Sequence, residues 1–179
     1  SQVYKNGKLV CENGTALFEC ETVDNSKVTN TVHLPKISAD FFKTDVKDKF
    51  DAIELIPESI ITKKVTVSYS DSLSKVCVIE RHHNLGTKGI GFVTNYGITN
   101  GAIATSIGHD SHNVIVIGDN DSDMALAVNT LGTSGGIAVC SEGKVIASMT
   151  LDIAGLMSVK SADEVTREHD NLYSAAKVL

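Results

Sequence analysis

The sequence lacks the features that define several classes of protein. It has no run of roughly 18 apolar residues, which is what a membrane-spanning helix needs, and its polar start contains no apolar core of a signal peptide. With 16 basic and 22 acidic residues the net charge is −6, whereas a nucleic-acid-binding domain needs a basic face. We therefore expect a cytoplasmic protein that binds neither a membrane nor nucleic acid.

A metal site or redox motif built on paired cysteines is also missing, because no CxxC spacing occurs. Three of the four cysteines lie in apolar runs typical of strands, so we expect free and mostly buried thiols. The cysteines are Cys11, Cys20, Cys77 and Cys140. The length of 179 residues, 42% of them hydrophobic, favours one domain with room for part of another.

Strand signals dominate what is present, and helix signals are interspersed without strict alternation. Asn6-Gly7 between short apolar arms predicts a type I′ hairpin, because both central residues need positive φ. The capping box of Ser161 and Glu164 predicts a C-terminal helix to about Val178. Further strand signals are the runs 52–56, 60–69, 75–80, 102–107, 114–117, 137–140 and 145–148. This pattern predicts an α+β fold with a mixed or mainly antiparallel sheet.

The polar cluster His109-Asp110-Ser111-His112-Asn113 lies between the apolar runs 102–107 and 114–117. The short link at 108–112 cannot make a parallel crossover, so the two runs should form an antiparallel pair. Three interpretations of the cluster are open. Its residue types suit a transition metal, although HxxH falls short of the three protein ligands usual at a catalytic zinc. They also suit acid–base or substrate contact, and Asp, Ser and Asn side chains can simply stabilise a tight turn.

A second acidic cluster follows the run 114–117 and contains Asp119 and Asp121. We expect it at the same edge of the sheet as the histidine cluster, with one of these carboxylates capping a helix to about Leu131. A calcium loop that began at Asp119 would need glycine at its sixth position and glutamate at its twelfth. Methionine and threonine stand there, so helix capping is the better interpretation.

The strand signal 75–80 ends in Arg81-His82-His83. These residues could form a further cluster at the same sheet edge, which would make Arg81 and His82 secondary site candidates. The alternative is an ordinary solvated strand end.

Several blocks of the sequence together match the pattern of one known family. The blocks include VYKNGKLVCENG at 3–14, VIERHHNLGTKGIGFV at 78–93, HDSHN at 109–113 and IAGLMS at 153–158. The last two are the most specific. With them the chain resembles the C-terminal third of bacterial-type adenine deaminases, which are members of the amidohydrolase superfamily.

The resemblance implies a parent enzyme that converts adenine and water to hypoxanthine and ammonia in purine salvage. It implies a divalent metal (Mn, Fe or Zn) held by an HxH strand and further residues of a (β/α)₈ barrel. No HxH occurs here, and such a barrel needs more than about 200 residues. The implied metal ligands therefore lie upstream, no cofactor is expected in this chain, and the chain alone should be inactive. The implied partners are the barrel domain and the substrate adenine, and a homo-oligomer is left open.

The resemblance also implies a division of the chain. Residues 1–20 would end the small β domain that flanks the barrel, 21–49 would be a connecting arm that wraps a region outside this chain, and 50–179 would be the family's C-terminal domain. Three hypotheses follow: active-site support by residues 109–113 in an adenine deaminase, a non-catalytic assembly domain, or an independent small metal-dependent hydrolase. The shortage of metal ligands disfavours the third.

Overall fold

A computed structural model describes residues 1–19, 21, 23–45, 48–70 and 73–179. The prediction for Cys20 lies outside these residues. The described chain forms a small three-stranded sheet, an eight-stranded sheet and two α-helices. The predicted α+β class is therefore confirmed.

The small sheet begins with the predicted hairpin. Its strands are β1 (Gln2–Lys5), β2 (Lys8–Glu12) and β3 (Thr15–Ala16), all antiparallel. Asn6 and Gly7 have φ of 50° and 74°, as a type I′ turn requires. The strand residues are exposed or half-buried. The assignment of residues 1–20 to a flanking domain stays a prediction.

The large sheet is mixed but mainly antiparallel, as predicted. Its strands are β4 (Lys49–Leu55), β5 (Thr62–Ser68), β6 (Ser74–Ile79), β7 (Lys88–Thr94), β8 (Gly101–Thr105), β9 (Val114–Gly118), β10 (Gly136–Ser141) and β11 (Lys144–Thr150). Their order is β11-β10-β8-β9-β6-β7-β4-β5, and only the β4–β7 pair is parallel. β8 and β9 are antiparallel with Thr105 opposite Ile115, which confirms the prediction made from the short link between them.

The first helix, α1 (Asp121–Thr130), is not capped by either of the predicted carboxylates. Asn120 is its N-cap and accepts a hydrogen bond from the backbone N–H of Asp123 at 2.8 Å. The carboxylate of Asp119 is already occupied by the backbone N–H groups of Asn100 and Gly101. Asp121 stands inside the first turn, where a negative charge favours the positive end of the helix dipole. The prediction of Asp119 or Asp121 as the cap was therefore wrong by one residue.

The second helix, α2 (Ala162–Ala176), begins as predicted. Ser161 accepts from the backbone N–H of Glu164, and the Glu164 carboxylate accepts in return from the backbone N–H of Ser161 at 2.9 Å. This reciprocal box satisfies two N–H groups that have no partner within the helix.

The two helices pack on opposite faces of the large sheet, because successive strand residues point to opposite sides. Ala102, Ala104 and Cys140 point to the side of α1, whereas Ile103 and Val139 point to the side of α2. Both described buried cysteines are free, as predicted, and burial raises the pKa of Cys77 and Cys140 to about 11. Cys11 is free and half-buried.

Part of the connecting arm belongs to the core of this chain. Val32, Ile37 and Phe42 are almost fully buried, and Phe42 ends a short 3₁₀ helix, Ala39–Phe42, that packs against α1. The expectation that the arm wraps a region outside the chain was therefore wrong for this part. The sequence signal was weak because three apolar residues spaced five apart fit neither a helical nor a strand period.

Candidate functional site

The histidine loop, residues 108–113, connects β8 to β9 in a tight turn. The backbone N–H of His112 donates to the carbonyl of Gly108 at 2.5 Å. A side chain at Gly108 would lie 2.9 Å from the carbonyl oxygen of Asn113, so the closure of the loop requires glycine there. His112 has φ of 49°, a left-handed conformation that most residues adopt rarely.

Arg81 anchors this loop from beneath. It follows β6, in which Ile79 pairs with Val114 of β9. The side chain is 2% exposed, its Nε donates to the carbonyl of His112, and its Nη2 donates to the carbonyl of Ala154 at 3.0 Å. The ion pairs of the described residues do not include Arg81, and burial lowers its pKa. Arg81 is therefore a buried anchor and not a solvated strand end.

The segment 153–158, IAGLMS, packs against the other side of Arg81. Gly155 has φ of 70°, and a side chain there would lie 2.8 Å from Nη1 of Arg81. The buried hydroxyl of Ser106 donates to the carbonyl of Gly155 at 2.5 Å and accepts from the backbone N–H of Gly136 at 2.7 Å. The two most specific blocks of the sequence thus meet at one buried guanidinium.

His82 also lies at this edge, where its Nε2 is 3.0 Å from the carbonyl oxygen of Ser111. The structure thus brings Arg81 and His82 together with the histidine loop. This agrees with the interpretation of residues 81–83 as a further cluster at the same sheet edge. His83 is exposed, and its Nδ1 lies 3.5 Å from the carboxylate of Glu80.

Within the loop, His109 and Asp110 are the groups presented to the outside. Their side chains are 89% and 86% exposed, and Nδ1 of His109 lies 2.6 Å from Oδ1 of Asp110. This pairing orients the imidazole and leaves its Nε2 for an outside group. A neutral or charged imidazole in that position can donate or accept a hydrogen bond and can transfer a proton.

The other loop residues mainly serve the turn itself. Ser111 accepts from the backbone N–H of Asn113 at 3.4 Å. Nδ1 of His112 is buried and has no hydrogen-bond partner among the described residues. A buried polar atom without a hydrogen-bond partner costs free energy. A hydrogen-bonding group from outside the described residues would remove this cost at Nδ1 of His112.

Asp119 and Asp121 lie at the opposite end of β9 from the histidine loop. The loop precedes Val114, whereas the two carboxylates follow Gly118, and a strand rises about 3.3 Å per residue. Asp121 pairs with Lys75, whose Nζ also donates to the carbonyl of Phe42 at 3.0 Å. The expectation that both polar clusters share one edge was therefore wrong, because a single strand separates them.

Sequence reasoning overlooked Glu80, which organises the turn after β6. Its carboxylate accepts from the backbone N–H groups of His82 and His83 at 2.5 and 2.8 Å and of Leu85 at 3.1 Å. Partial burial opposes its ionisation, but these donors prevail and lower the pKa of Glu80 to about 2. An acidic residue followed by histidines, Asn84 and a glycine was the available signal for such a turn.

A metal site needs several ligating side chains close together. Throughout the described ranges, no three or more His, Cys, Asp or Glu residues are grouped so that they could hold a metal ion. The described side chains therefore do not support the transition-metal interpretation of the histidine cluster. None of the helices in the described part of the chain is long and apolar enough to cross a membrane.

The fold and the site define the class of protein: an α+β domain whose central strands end in an anchored, histidine-bearing loop. Residues 54–179 match the family model of the adenine deaminase C-terminal domain. The chain is 38% identical to adenine deaminase 2 of Carboxydothermus hydrogenoformans and 40% identical to the adenine deaminase of Clostridium acetobutylicum. These alignments cover 99% and 92% of this chain.

The chain belongs to the adenine deaminase C-terminal domain family, which confirms the resemblance seen in the sequence. It is also 36% identical to the adenine deaminase of Dehalococcoides mccartyi strain BAV1. The chain spans about a third of the length of these curated relatives, with 33%, 31% and 32% of their sequences covered.

Proposed function

We propose that this chain forms the C-terminal third of a cytoplasmic enzyme of purine salvage that converts adenine and water to hypoxanthine and ammonia. Membership of the adenine deaminase C-terminal domain family and the names of three relatives support this reaction. The relatives are about three times as long as the matched segment, which leaves ample length for a separate catalytic region. The chain alone is inactive in this proposal.

The metal of the parent, Mn, Fe or Zn, belongs to that N-terminal region in the proposal. The described residues here do not form a metal site, so no step of the reaction is assigned to a metal in this chain. For the same reason an independent small metal-dependent hydrolase is not proposed.

The histidine loop supports the active site of the parent. The observation that carries this role is the His109–Asp110 pair, which is exposed although the loop beneath it is held by buried Arg81. Exposure leaves the pair accessible to substrate, and the anchor fixes its position. Ring nitrogens of a purine need hydrogen-bond donors and acceptors, which an imidazole supplies.

The competing function is a non-catalytic assembly domain in which the loop is purely structural. Burial of Nδ1 of His112 and the use of Ser111 within the turn favour this alternative for those residues. They do not account for His109 and Asp110, since an exposed pair contributes little to stability.

The test uses the full-length adenine deaminase that carries this domain. His109→Ala should lower kcat/KM by at least about tenfold, which is about 1.4 kcal/mol of transition-state stabilisation. His169→Ala is the matched control, because His169 is also exposed and stands beside an aspartate, Asp170, at 3.9 Å on α2. His112→Ala should also lower kcat/KM, but its part-buried ring makes folding stability a necessary second measurement.

Kinetics of His109→Ala and His112→Ala that match the wild type, with normal metal content, would favour the assembly domain. Inactivity of the chain alone is tested by ammonia release from adenine with the metal-supplemented 179-residue chain. Turnover of about 1–10³ per second would contradict the placement of the catalytic centre upstream.

A further inference from the structure

Part of one face of the large sheet is apolar and is covered by neither helix of the described chain. α1 covers one face. On the other face α2 packs on the β10–β11 end, and Leu179 extends this cover to a cluster with Ile103 and Ile117. The remaining strands of that second face form a shallow groove of about 340 Å³. We call this surface the open face, and five of its side chains are Ile53, Val76, Val78, Ile103 and Ile115.

The chemistry of the open face is that of a protein interface. Ile53 and Val78 are 43% and 38% exposed although they lie in the interior of strands. The described side chains that line the groove include no charged group. An antiparallel sheet with one solvated face normally shows polar side chains there, and a continuous apolar patch indicates a binding partner. A small polar ligand would find few hydrogen-bonding groups in this groove.

We propose that the open face docks on the N-terminal two thirds of the full-length adenine deaminase. The inference rests on the proposed function, namely that this chain works within such an enzyme. The length of chain outside the matched segment supplies the occupant, because the chain covers 33% of the relative from Carboxydothermus hydrogenoformans. Neighbouring domains of one polypeptide share interfaces that resemble transient protein–protein interfaces, and a continuous apolar patch is the kind of surface on which such contact forms.

The position of the histidine loop favours the same surface. Thr105, the last residue of β8, and Ile115, the second residue of β9, both line the groove close to the histidine loop. A catalytic region seated on the open face would therefore also reach the exposed His109–Asp110 pair. The docked open face and the substrate-contacting histidine loop would then form one continuous surface.

The test labels a cysteine placed on the open face of the full-length enzyme. Val78→Cys should react with a maleimide much more slowly in the native enzyme than in the same enzyme unfolded in denaturant. Val145→Cys is the matched control, because Val145 is a strand valine of similar exposure, 44%, on the edge strand β11. It should stay reactive in the native enzyme. Fragment-ion mass spectrometry distinguishes both sites from the native cysteines, of which Cys77 is adjacent to Val78.

A native Val78→Cys that reacts as fast as Val145→Cys would overturn the proposal. So would protection that disappears on dilution together with a dimer, since the occupant would then be a second copy of the chain. Protection that persists in the monomeric enzyme supports docking within one polypeptide. Val78→Cys and His109→Ala together distinguish the two proposals. If the histidine loop has no catalytic role, Val78→Cys is still protected from the maleimide. If the open face does not dock, His109→Ala still lowers kcat/KM.

Discussion

Replacement of Arg81 by lysine tests whether one buried guanidinium holds the histidine loop and segment 153–158 together. Arg81 donates from two different nitrogens to the carbonyls of His112 and Ala154. A lysine ammonium carries its three N–H donors on one nitrogen and cannot reproduce the planar spread of the guanidinium donors. At least one buried carbonyl would then lose its partner, which costs about 1–3 kcal/mol.

Lysine is a better probe than methionine because the charge of Arg81 is itself costly. Among the described residues Arg81 has no ion-pair partner, and burial lowers its pKa. An uncompensated buried charge is destabilising, so Arg81→Met would lose two hydrogen bonds but also remove that cost. Arg81→Lys keeps the charge. Its effect on the free energy of unfolding therefore reports the loss of the two hydrogen bonds from separate guanidinium nitrogens.

Two measurements on the 179-residue chain test this: its free energy of unfolding in urea, and amide hydrogen exchange in the native state. We expect Arg81→Lys to lower the free energy of unfolding by about 1–3 kcal/mol and to speed exchange in residues 108–113 and 153–158. Arg167→Lys is the control, because Arg167 is the only other arginine and is exposed on α2. An Arg81→Lys variant as stable as Arg167→Lys, with unchanged exchange in both segments, would refute the anchor.

Two further predictions concern stability. The pKa of Glu80 is lowered from 4.5 to about 2, so its ionised form stabilises the fold above pH 4.5, and this contribution is lost as the pH falls towards 2. Wild-type stability in urea should therefore fall more steeply over this range than that of Glu80→Gln, and parallel profiles would contradict the role of Glu80. Gly136→Ala would place a Cβ 1.9 Å from the carbonyl oxygen of Met149 at φ of 132° and should lower the free energy of unfolding by at least about 2 kcal/mol. Gly89→Ala, where the added atom meets nothing within 4 Å, should change it little, and equal effects of the two variants would contradict the steric argument.

Local sequence determined the features in which neighbouring residues satisfy one another. Asn6-Gly7 forms the predicted hairpin because its own backbone needs positive φ at both positions. The Ser161–Glu164 box begins α2 because the two residues satisfy each other's backbone N–H groups. The antiparallel pairing of β8 and β9 follows from the shortness of the link between them.

The resemblance to adenine deaminases was also legible in the sequence, since it depends on ordered blocks of residues and not on their contacts. The blocks at 109–113 and 153–158 carried it. The sequence did not show that these two blocks pack on opposite sides of the same arginine, because 39 residues separate them along the chain. Such contacts are set by strand order, and local periodicity does not encode strand order.

Contacts between distant segments of the chain determine which polar residues lie together. Arg81 resembled a solvated strand end, but the later segment at Ala154 folds over it and buries it. Asp119 is close to the histidine loop in sequence, yet β9 carries it to the opposite edge of the sheet. The sequence pattern of the strands likewise does not show which part of a sheet face is covered. The position of α2 over β10 and β11 leaves part of one apolar face open. Long-range packing determines whether a charged side chain is buried. A buried charge must be hydrogen-bonded by the protein, as Arg81 is, whereas an exposed charge is solvated by water.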